Sequence, residues 1–301
     1  MEGSELKLRR IKKFLINILN AFIPSKRLRK RIRLLAYNPK LFLDGAGRAP
    51  LKKYEHRVKV SFCFDKNFAK QAAVAMYSLL DVSKGRCDYD IYCVVGESVS
   101  DDDKKMLRAI VLKSDSSITF LNANHDFDKS YLGDWPIGIY YRLMLPTLLP
   151  DVGRIIYADV DVVFLGDLIE ADRIELGDNL VAGVGSNNYI NSGFLIMNLS
   201  KMRTEKTYDK LVKESKKEYA HPDQTTLNEV CKRRILFLPA KYNFGEAAGR
   251  DFDKMSGREI IDLKYNPVML HYLGNPKPWA VEKPRGLKKI WQFYANQTGL
   301  F

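Results

Sequence analysis

Two carboxylates stand two residues apart beside apolar runs, in the segment RIIYADVDVVFLGDL (residues 154–168). Because side chains alternate along a strand, Asp159 and Asp161 are expected to point to the same side. Their hard oxygen atoms suit Mg²⁺ or Mn²⁺, and a metal held from one side can neutralise the charge of a departing diphosphate. The alternative for such a pair is a solvated turn or helix cap. The apolar neighbours favour a metal site for a nucleotide-activated substrate.

The elements that must position this pair alternate between strand and helix patterns. Strands are predicted at Arg57–Phe64, Asp90–Val95, Ser117–Leu121 and Arg154–Ala158, and helices at Phe68–Leu80, Asp101–Leu112 and near Ile139–Leu145. This alternation predicts a Rossmann-like α/β sheet with parallel strands. The acidic pair then lies at the carboxyl edge of a central strand, where ligands bind in such sheets.

The loop after the first predicted strand reads Asp65-Lys66-Asn67. It contains no Gly-x-Gly-x-x-Gly, so the fingerprint of dinucleotide-binding proteins is absent. A carboxylate at this position can accept a hydrogen bond from a uracil N–H or a ribose hydroxyl. The loop is therefore a candidate nucleoside contact.

The positive charge of the chain is concentrated in residues 1–40. The 301 residues carry a net charge of +13, of which residues 1–40 hold +10. Apolar residues recur there at helical spacing among Lys and Arg, first around Phe14–Phe22 and again, after Pro24, around Leu28–Leu35. Each Lys or Arg near an anionic membrane contributes about 1 kcal/mol. We therefore expect two basic amphipathic helices that bind an anionic membrane surface.

Three alternatives compete with this interpretation of the tail. The apolar stretch Phe14–Ile23 is shorter than the roughly 20 residues that a transmembrane helix requires. A signal peptide is disfavoured by its weak apolar region and by the second basic cluster. A basic helix could bind nucleic acid, but no aromatic platform or known module accompanies it, so nucleic acid is not an expected partner.

Composition and cysteine usage complete the outline of the chain. A hydrophobic content of 46% with 28% charged residues is ordinary for a globular protein. Four cysteines without a C-x-x-C pair are predicted to be reduced, which favours the cytoplasm. We expect membrane-binding helices at residues 1–40, a linker at 41–55 and one catalytic domain at 56–301.

Six segments together resemble the retaining glycosyltransferases of family 8, which include bacterial lipopolysaccharide galactosyl- and glucosyltransferases and glycogenin. They occur in the family's order, from about residue 57 to 280: SFCFDKNFAKQAAVAMYSLL, IYYRLMLPTLLP, RIIYADVDVVFLGDL, YINSGFLIMNL, HPDQTTLNEV and VMLHYLGNPKPW. The resemblance implies a GT-A fold, which is a Rossmann-like mixed sheet flanked by helices.

The same resemblance implies a role for individual residues. The implied metal ligands for Mn²⁺, or Mg²⁺, are Asp159, Asp161 and His271. The residues implied to bind the UDP-sugar donor are Asp65 and Asn67 at the uridine, Asn191 at the sugar, and Gly274 and Lys277 at the diphosphate. The implied catalytic residues are Arg142, Asp223 and Gln224.

Retention of the anomeric configuration follows from the resemblance, and the residues bear on its route. An amide such as Gln224 is a poor nucleophile, so a double displacement lacks an obvious carboxylate. We favour a front-side route in which the departing diphosphate oxygen takes the acceptor proton. One departure from the family is the short loop GSNNY before Asn191, where relatives that act on lactose-like acceptors often have a longer, acidic loop.

The sequence therefore predicts a transferase of galactose or glucose from a UDP-sugar. We expect a lipopolysaccharide or another lipid-linked glycan as acceptor, at the cytoplasmic face of the membrane. Two other classes of function stay open at this point: a non-catalytic module that binds sugar nucleotides or glycans, and a metal-dependent nucleotide-diphosphate hydrolase.

Overall fold

The structure, a computed structural model, describes residues 53–245, 267–284 and 287–301. The chain divides into two compact units, of which one contains residues 53–275 and 294–301, and the other includes residues 276–293. Every predicted site residue except Lys277 belongs to the first unit. The predicted amphipathic helices at residues 1–40, and the linker as far as residue 52, lie outside the described residues.

A mixed seven-stranded sheet forms the centre of the first unit, in the order β3-β2-β1-β4-β7-β6-β8. A second sheet of three strands has the order β5-β10-β9. The described strands are β1 Val58–Phe64, β2 Tyr89–Val95, β3 Ser117–Asn122, β4 Ile155–Ala158, β5 Val162–Phe164, β6 Val181–Ser186, β7 Tyr189–Met197, β8 Ile235–Phe237, β9 Phe244–Gly245 and β10 Met269–His271.

Helices flank this sheet. The described α-helices are α1 Ala69–Ser83, α2 Asp101–Val111, α3 Leu145–Leu148, α4 Ile169–Asp172, α5 Leu199–Thr204, α6 Thr207–Glu214, α7 Pro222–Val230 and α8 Lys288–Thr298. None of these helices combines the length and the apolar character that crossing a membrane requires. The predicted α/β class is confirmed.

The strand β4 is central and buried on both faces, as predicted. Ile156 and Ala158 belong to one core cluster, whereas Ile155 and Tyr157 belong to the other. Strands β1, β2 and β3 pair in parallel, and β4 is parallel to β1. Their carboxyl ends therefore share one edge of the sheet, so Asp65 and Asp159 follow strands that end at that edge.

The segment that carries Arg142 differs from the predicted helix. It is a 3₁₀ helix over Ile137–Met144, and a single α-helical turn, α3, follows it. Pro146 explains the change, because its ring lacks an N–H and would collide with the carbonyl of Arg142 in a continuous α-helix. The tighter helix still buries the Arg142 side chain.

The short loop GSNNY folds as a tight hairpin between β6 and β7. Asn187 and Asn188 both have positive φ, 53° and 61°, which is the conformation of a two-residue hairpin turn that asparagine tolerates well. Gly185 faces Ile190 across this hairpin, and a Cβ there would lie 2.0 Å from the Tyr189 carbonyl oxygen. The turn thus sets the start of β7, the strand that contains Asn191.

The four cysteines confirm the prediction that they are free core residues. Cys63, Cys87, Cys93 and Cys231 are buried and none forms a disulfide. Burial raises the pKa of the Cys63 thiol to about 12. A thiol of this kind stays protonated at neutral pH and is a poor nucleophile.

Candidate active site

Asp159, Asp161 and His271 meet at the carboxyl edge of the central strand. The imidazole Nε2 of His271 lies 3.0 Å from Asp161 Oδ1 and 3.5 Å from Asp159 Oδ2. One ligand atom from each residue lies within 4.8 Å of the others. The strand β10 brings the histidine there because it pairs antiparallel with β5, so that His271 faces Val162.

Gly193 provides the space in which the imidazole lies. A Cβ at this position would be 2.1 Å from His271 Cε1 and 2.6 Å from Nδ1. The backbone N–H of Asp159 donates to the Gly193 carbonyl at 2.9 Å, which holds the two segments together. His271 is 2% exposed, so its ring has little room to move elsewhere.

Arg142 bridges the acidic pair and the start of helix α7. Its guanidinium lies 3.0 Å from Asp159 Oδ1 and 3.3 Å from Asp223 Oδ2. It also donates to the Ser192 carbonyl at 2.8 Å and lies over the Tyr157 ring, 4.7 Å from its centroid. One buried cation thus compensates two carboxylates from different elements.

The pKa values of this group reflect burial and mutual charge. Burial raises the pKa of Asp223 above its ordinary value, while the Arg142 cation lowers it in part and the Asp159 charge raises it again. Burial alone would lower the pKa of Arg142, but the neighbouring acids more than offset that effect, so its pKa is raised. Arg142 therefore remains a permanent cation.

Asn191 and Gln224 are joined by direct hydrogen bonds. The Asn191 amide nitrogen donates to Gln224 Oε1 at 2.9 Å, and the backbone N–H of Ser192 donates to the same oxygen at 3.0 Å. The Gln224 nitrogen donates to the Tyr189 hydroxyl at 3.2 Å. The predicted sugar contact Asn191 and the predicted catalytic residue Gln224 therefore belong to one hydrogen-bonded group.

Asn243 connects this pair to the metal-binding group. Its amide nitrogen donates to Asn191 Oδ1 at 2.7 Å, and its Oδ1 lies 2.8 Å from His271 Nδ1. We call Asn191, Gln224 and Asn243 the amide network. Helix α7, strand β7 and strand β10 are linked through it at a single edge of the sheet.

Other predicted site residues lie in segments outside the amide network. Asp65 follows β1 and accepts a hydrogen bond from the backbone N–H of Asn67 at 2.8 Å. Gly274 comes three residues after His271, and Lys277 precedes the 3₁₀ helix Pro278–Ala280 in the other unit. The roles that the resemblance implies for these residues stay predictions.

Asn243 and Gly193 are site residues that the sequence analysis does not single out. Gly193 lies inside the quoted motif YINSGFLIMNL, but its contact with His271 joins segments far apart in the chain. Asn243 stands directly before the short strand β9, in the segment KYNF. A polar residue ahead of a short apolar strand is too common to serve as a signal by itself.

The donor set of this group fits a divalent metal of the Mn²⁺ or Mg²⁺ kind. Two carboxylates and a borderline imidazole match the ligands that Mn²⁺ accepts. The hydrogen bond between His271 and Asn243 is the outer contact that metal-bound histidines usually make. The missing side chain at Gly193 gives the imidazole its place beside the two acids.

Replacing Gly193 with alanine is expected to displace His271. The added methyl group would overlap the imidazole ring at 2.1 Å, and buried backbone on both sides leaves no simple relief. We expect metal affinity to fall by at least about 10-fold, as for loss of an outer-shell contact. Isothermal titration with Mn²⁺ measures this.

Gly138→Ala serves as the matched control, because a Cβ there meets nothing closer than 3.8 Å. It should bind Mn²⁺ like the wild type. Wild-type affinity in Gly193→Ala would contradict the assignment of His271 as a ligand.

Comparison with known proteins gives a consistent result. The family model described as Glycosyl transferase family 8 matches residues 59–283. The chain is 23% identical over 262 residues to the lipopolysaccharide glucosyltransferase WaaO of Escherichia coli K12. The matched region covers 75% of this chain and 76% of WaaO.

Solved structures agree on the fold. The apo structure of the bifunctional glycosyltransferase WbbM superposes with a TM-score of 0.69 and 23% identity, over 80% of this chain and 50% of that chain. The galactosyltransferase LgtC, in complex with donor and acceptor sugar analogues, gives a TM-score of 0.66 and 20% identity, over 80% of this chain and 96% of that chain. The predicted GT-A fold is confirmed.

Proposed function

This chain belongs to glycosyl transferase family 8, and from that premise we propose that it transfers galactose or glucose from a UDP-sugar to a glycan, with retention of the anomeric configuration. The observation that carries the proposal is the joining of two predicted groups. The amide network links the predicted sugar contact Asn191 and the predicted catalytic residue Gln224 to the predicted metal ligand His271. A site that binds the sugar and the diphosphate of one donor molecule would bring these two groups together in this way.

The ligands proposed for the metal, Mn²⁺ or Mg²⁺, are Asp159, Asp161 and His271. When bound there, such an ion supplies positive charge that stabilises the departing diphosphate. This proposal rests on the proximity of the three ligand atoms and on the chemistry of the donor set. The uridine would be held by Asp65 and Asn67 at the same edge of the sheet.

The environment of Gln224 and Asp223 supports a front-side route. Gln224 Oε1 already accepts two hydrogen bonds, which lowers its nucleophilicity further. Asp223 is 7% exposed and is paired with Arg142, so its charge is already compensated. Neither group is well suited to form a covalent glycosyl-enzyme, and the departing diphosphate oxygen is the proposed acceptor of the proton.

Gly274 leaves open space where the diphosphate is proposed to lie. Its φ is outside the left-handed region, and a Cβ there would meet no described atom within 4 Å. The described part of the chain therefore contains no contact that requires glycine at this position. Close approach of a ligand to the backbone does give a reason for glycine, and we propose that Lys277 adds a cation to the same phosphates.

An exposed aromatic pair next to the start of helix α7 supports a saccharide as the acceptor. Trp135 is 47% exposed and meets His221 edge to face, with ring centroids 6.2 Å apart. His221 directly precedes helix α7, in which Asp223 and Gln224 are the second and third residues. Because relatives are named as lipopolysaccharide glucosyltransferases, we propose a lipopolysaccharide or another lipid-linked glycan as the acceptor.

We propose that residues 1–40 attach the transferase domain, residues 56–301, to the cytoplasmic face of the membrane. The basis is the charge of +10 in this segment. Deleting residues 1–40 is expected to abolish sedimentation with anionic phosphatidylglycerol vesicles, while hydrolysis of the soluble donor persists. Neutral phosphatidylcholine vesicles are the control, and unchanged sedimentation of the truncated protein would contradict the proposal.

The proposed reaction is tested by UDP release from a panel of UDP-sugars, with Mn²⁺ and with EDTA. We expect release from UDP-galactose or UDP-glucose that requires the metal. Production of UMP and sugar phosphate would instead identify a hydrolase. Tight UDP binding without release, even with lipopolysaccharide acceptors, would favour a non-catalytic binding module.

A further inference from the structure

Two backbone N–H groups set the direction of every hydrogen bond in the amide network. A backbone N–H can only donate. The Gly193 N–H lies 2.9 Å from one atom of the Asn191 amide, which must therefore be the oxygen. The Ser192 N–H likewise identifies Gln224 Oε1 as an acceptor. The orientation of both side chains thus follows from the backbone of strand β7.

The orientation of Asn243 follows in turn. Since Asn191 presents its oxygen, the atom of Asn243 at 2.7 Å must be the donating nitrogen. Its other terminal atom is then the oxygen, and it faces His271 Nδ1 at 2.8 Å. That contact is a hydrogen bond only if Nδ1 carries the proton. Nε2 is then the nitrogen that faces the two aspartates.

We propose that Asn243 is a positioning residue that holds the proton of His271 on Nδ1 and so directs the Nε2 lone pair to the metal. This inference rests on the proposed function, in which His271 is a metal ligand. It adds a specific link: the same backbone amides that orient the sugar contacts also select the nitrogen with which His271 binds the metal.

Asparagine is suited to this position because it must donate and accept in opposite directions. Asn243 is 7% exposed, so water cannot readily replace either partner. An aspartate could still accept from His271 but could not donate to Asn191. An alanine would supply neither hydrogen bond. Comparing the two substitutions therefore distinguishes the effect of the contact with His271 from the effect of the contact with Asn191.

The experiment measures Mn²⁺ affinity of the nucleotide-free full chain by electron paramagnetic resonance of the free ion. Asn243→Ala is expected to weaken Mn²⁺ binding by about 10- to 100-fold, the usual loss for an outer-shell partner. Asn243→Asp should retain the Mn²⁺ affinity but show a lower kcat, because Asn191 loses the hydrogen bond that the Asn243 amide donates to it. Equal losses of affinity in both variants, or none in Asn243→Ala, would overturn the proposal.

Tyr242→Phe is the matched control in the adjacent position. The Tyr242 hydroxyl is buried without a hydrogen-bond partner among the described residues, and its ring stacks on Phe194 with centroids 5.5 Å apart. Its removal preserves the packing beside Asn243 and should leave Mn²⁺ affinity and kcat unchanged. A loss in this variant would show that the effect at Asn243 is one of packing.

Nuclear magnetic resonance of His271 tests the role of Asn243 independently of the proposed metal site. In the metal-free wild type, Nδ1 should carry a proton that exchanges slowly with water. That proton should remain in Asn243→Asp and become exchangeable in Asn243→Ala. An unprotonated Nδ1 in the wild type would overturn the role of Asn243. A protonated Nδ1 in a protein that binds no Mn²⁺ would instead overturn only the proposed metal site.

Discussion

Asp161→Asn is expected to abolish metal-dependent UDP release, with a fall in turnover of at least about 100-fold. The amide keeps the size of the side chain but removes the negative charge that lies 3.0 Å from His271 Nε2. A divalent ion would then lose one of its two carboxylate ligands. Turnover at saturating UDP-sugar and Mn²⁺ affinity by calorimetry give the two measurements.

Asp159→Asn provides an informative comparison, because Asp159 has a second partner. It pairs with Arg142 at 3.0 Å, so its loss should lower both metal affinity and the melting temperature. The exposed Asp178, which pairs with Lys201 at the surface, offers a control: Asp178→Asn should have wild-type turnover. Wild-type turnover in Asp161→Asn would be incompatible with the metal site proposed here.

Arg142→Met is expected to destabilise the fold by about 3–5 kcal/mol, the usual cost of removing one partner from a buried ion pair. Arg142 is 8% exposed and compensates both Asp159 and Asp223. Methionine retains much of the apolar stem but leaves the buried Asp223 carboxylate and the partly buried Asp159 carboxylate without the cation that both contact. Urea denaturation at pH 7 measures the loss, and UDP release should fall with it.

The pH dependence of this loss follows from Asp223. Burial already raises its pKa above 3.8, and Arg142 counteracts that rise; without the arginine the folded-state pKa rises further. Between the unfolded value and this higher pKa, the native variant binds more protons than the unfolded chain, so its stability increases as the pH falls. The difference in free energy of unfolding between the wild type and Arg142→Met should therefore become smaller from pH 7 towards pH 4.

A double variant tests whether the uncompensated charge of Asp223 causes this loss of stability. Arg142→Met with Asp223→Asn removes one buried carboxylate along with the cation and should recover part of the stability lost in Arg142→Met alone. Equal stability of Arg142→Met and the wild type at pH 7 would show that the two carboxylates do not depend on the guanidinium.

Local pattern was sufficient for the first four strands of this fold. Apolar runs bounded by turn residues predicted β1, β2, β3 and β4, and the alternation with helices predicted their parallel pairing. The 3₁₀ helix that carries Arg142 was predicted as an ordinary helix. Pro146 was visible in the sequence and its clash with the carbonyl four residues earlier is local, but whether the helix ends, kinks or tightens there depends on the surrounding packing.

Local pattern was enough to predict the central strand and the acidic pair at its end, because strand period and burial are local properties that neighbouring residues express directly. The folded structure was needed to show that Gly193 makes room for His271 and that Asn243 contacts its Nδ1. These contacts join segments that are distant in the chain, and they depend on the close approach of two segments or on the direction of a hydrogen bond. Such information resides in packing and strand register, which spacing along a chain does not record.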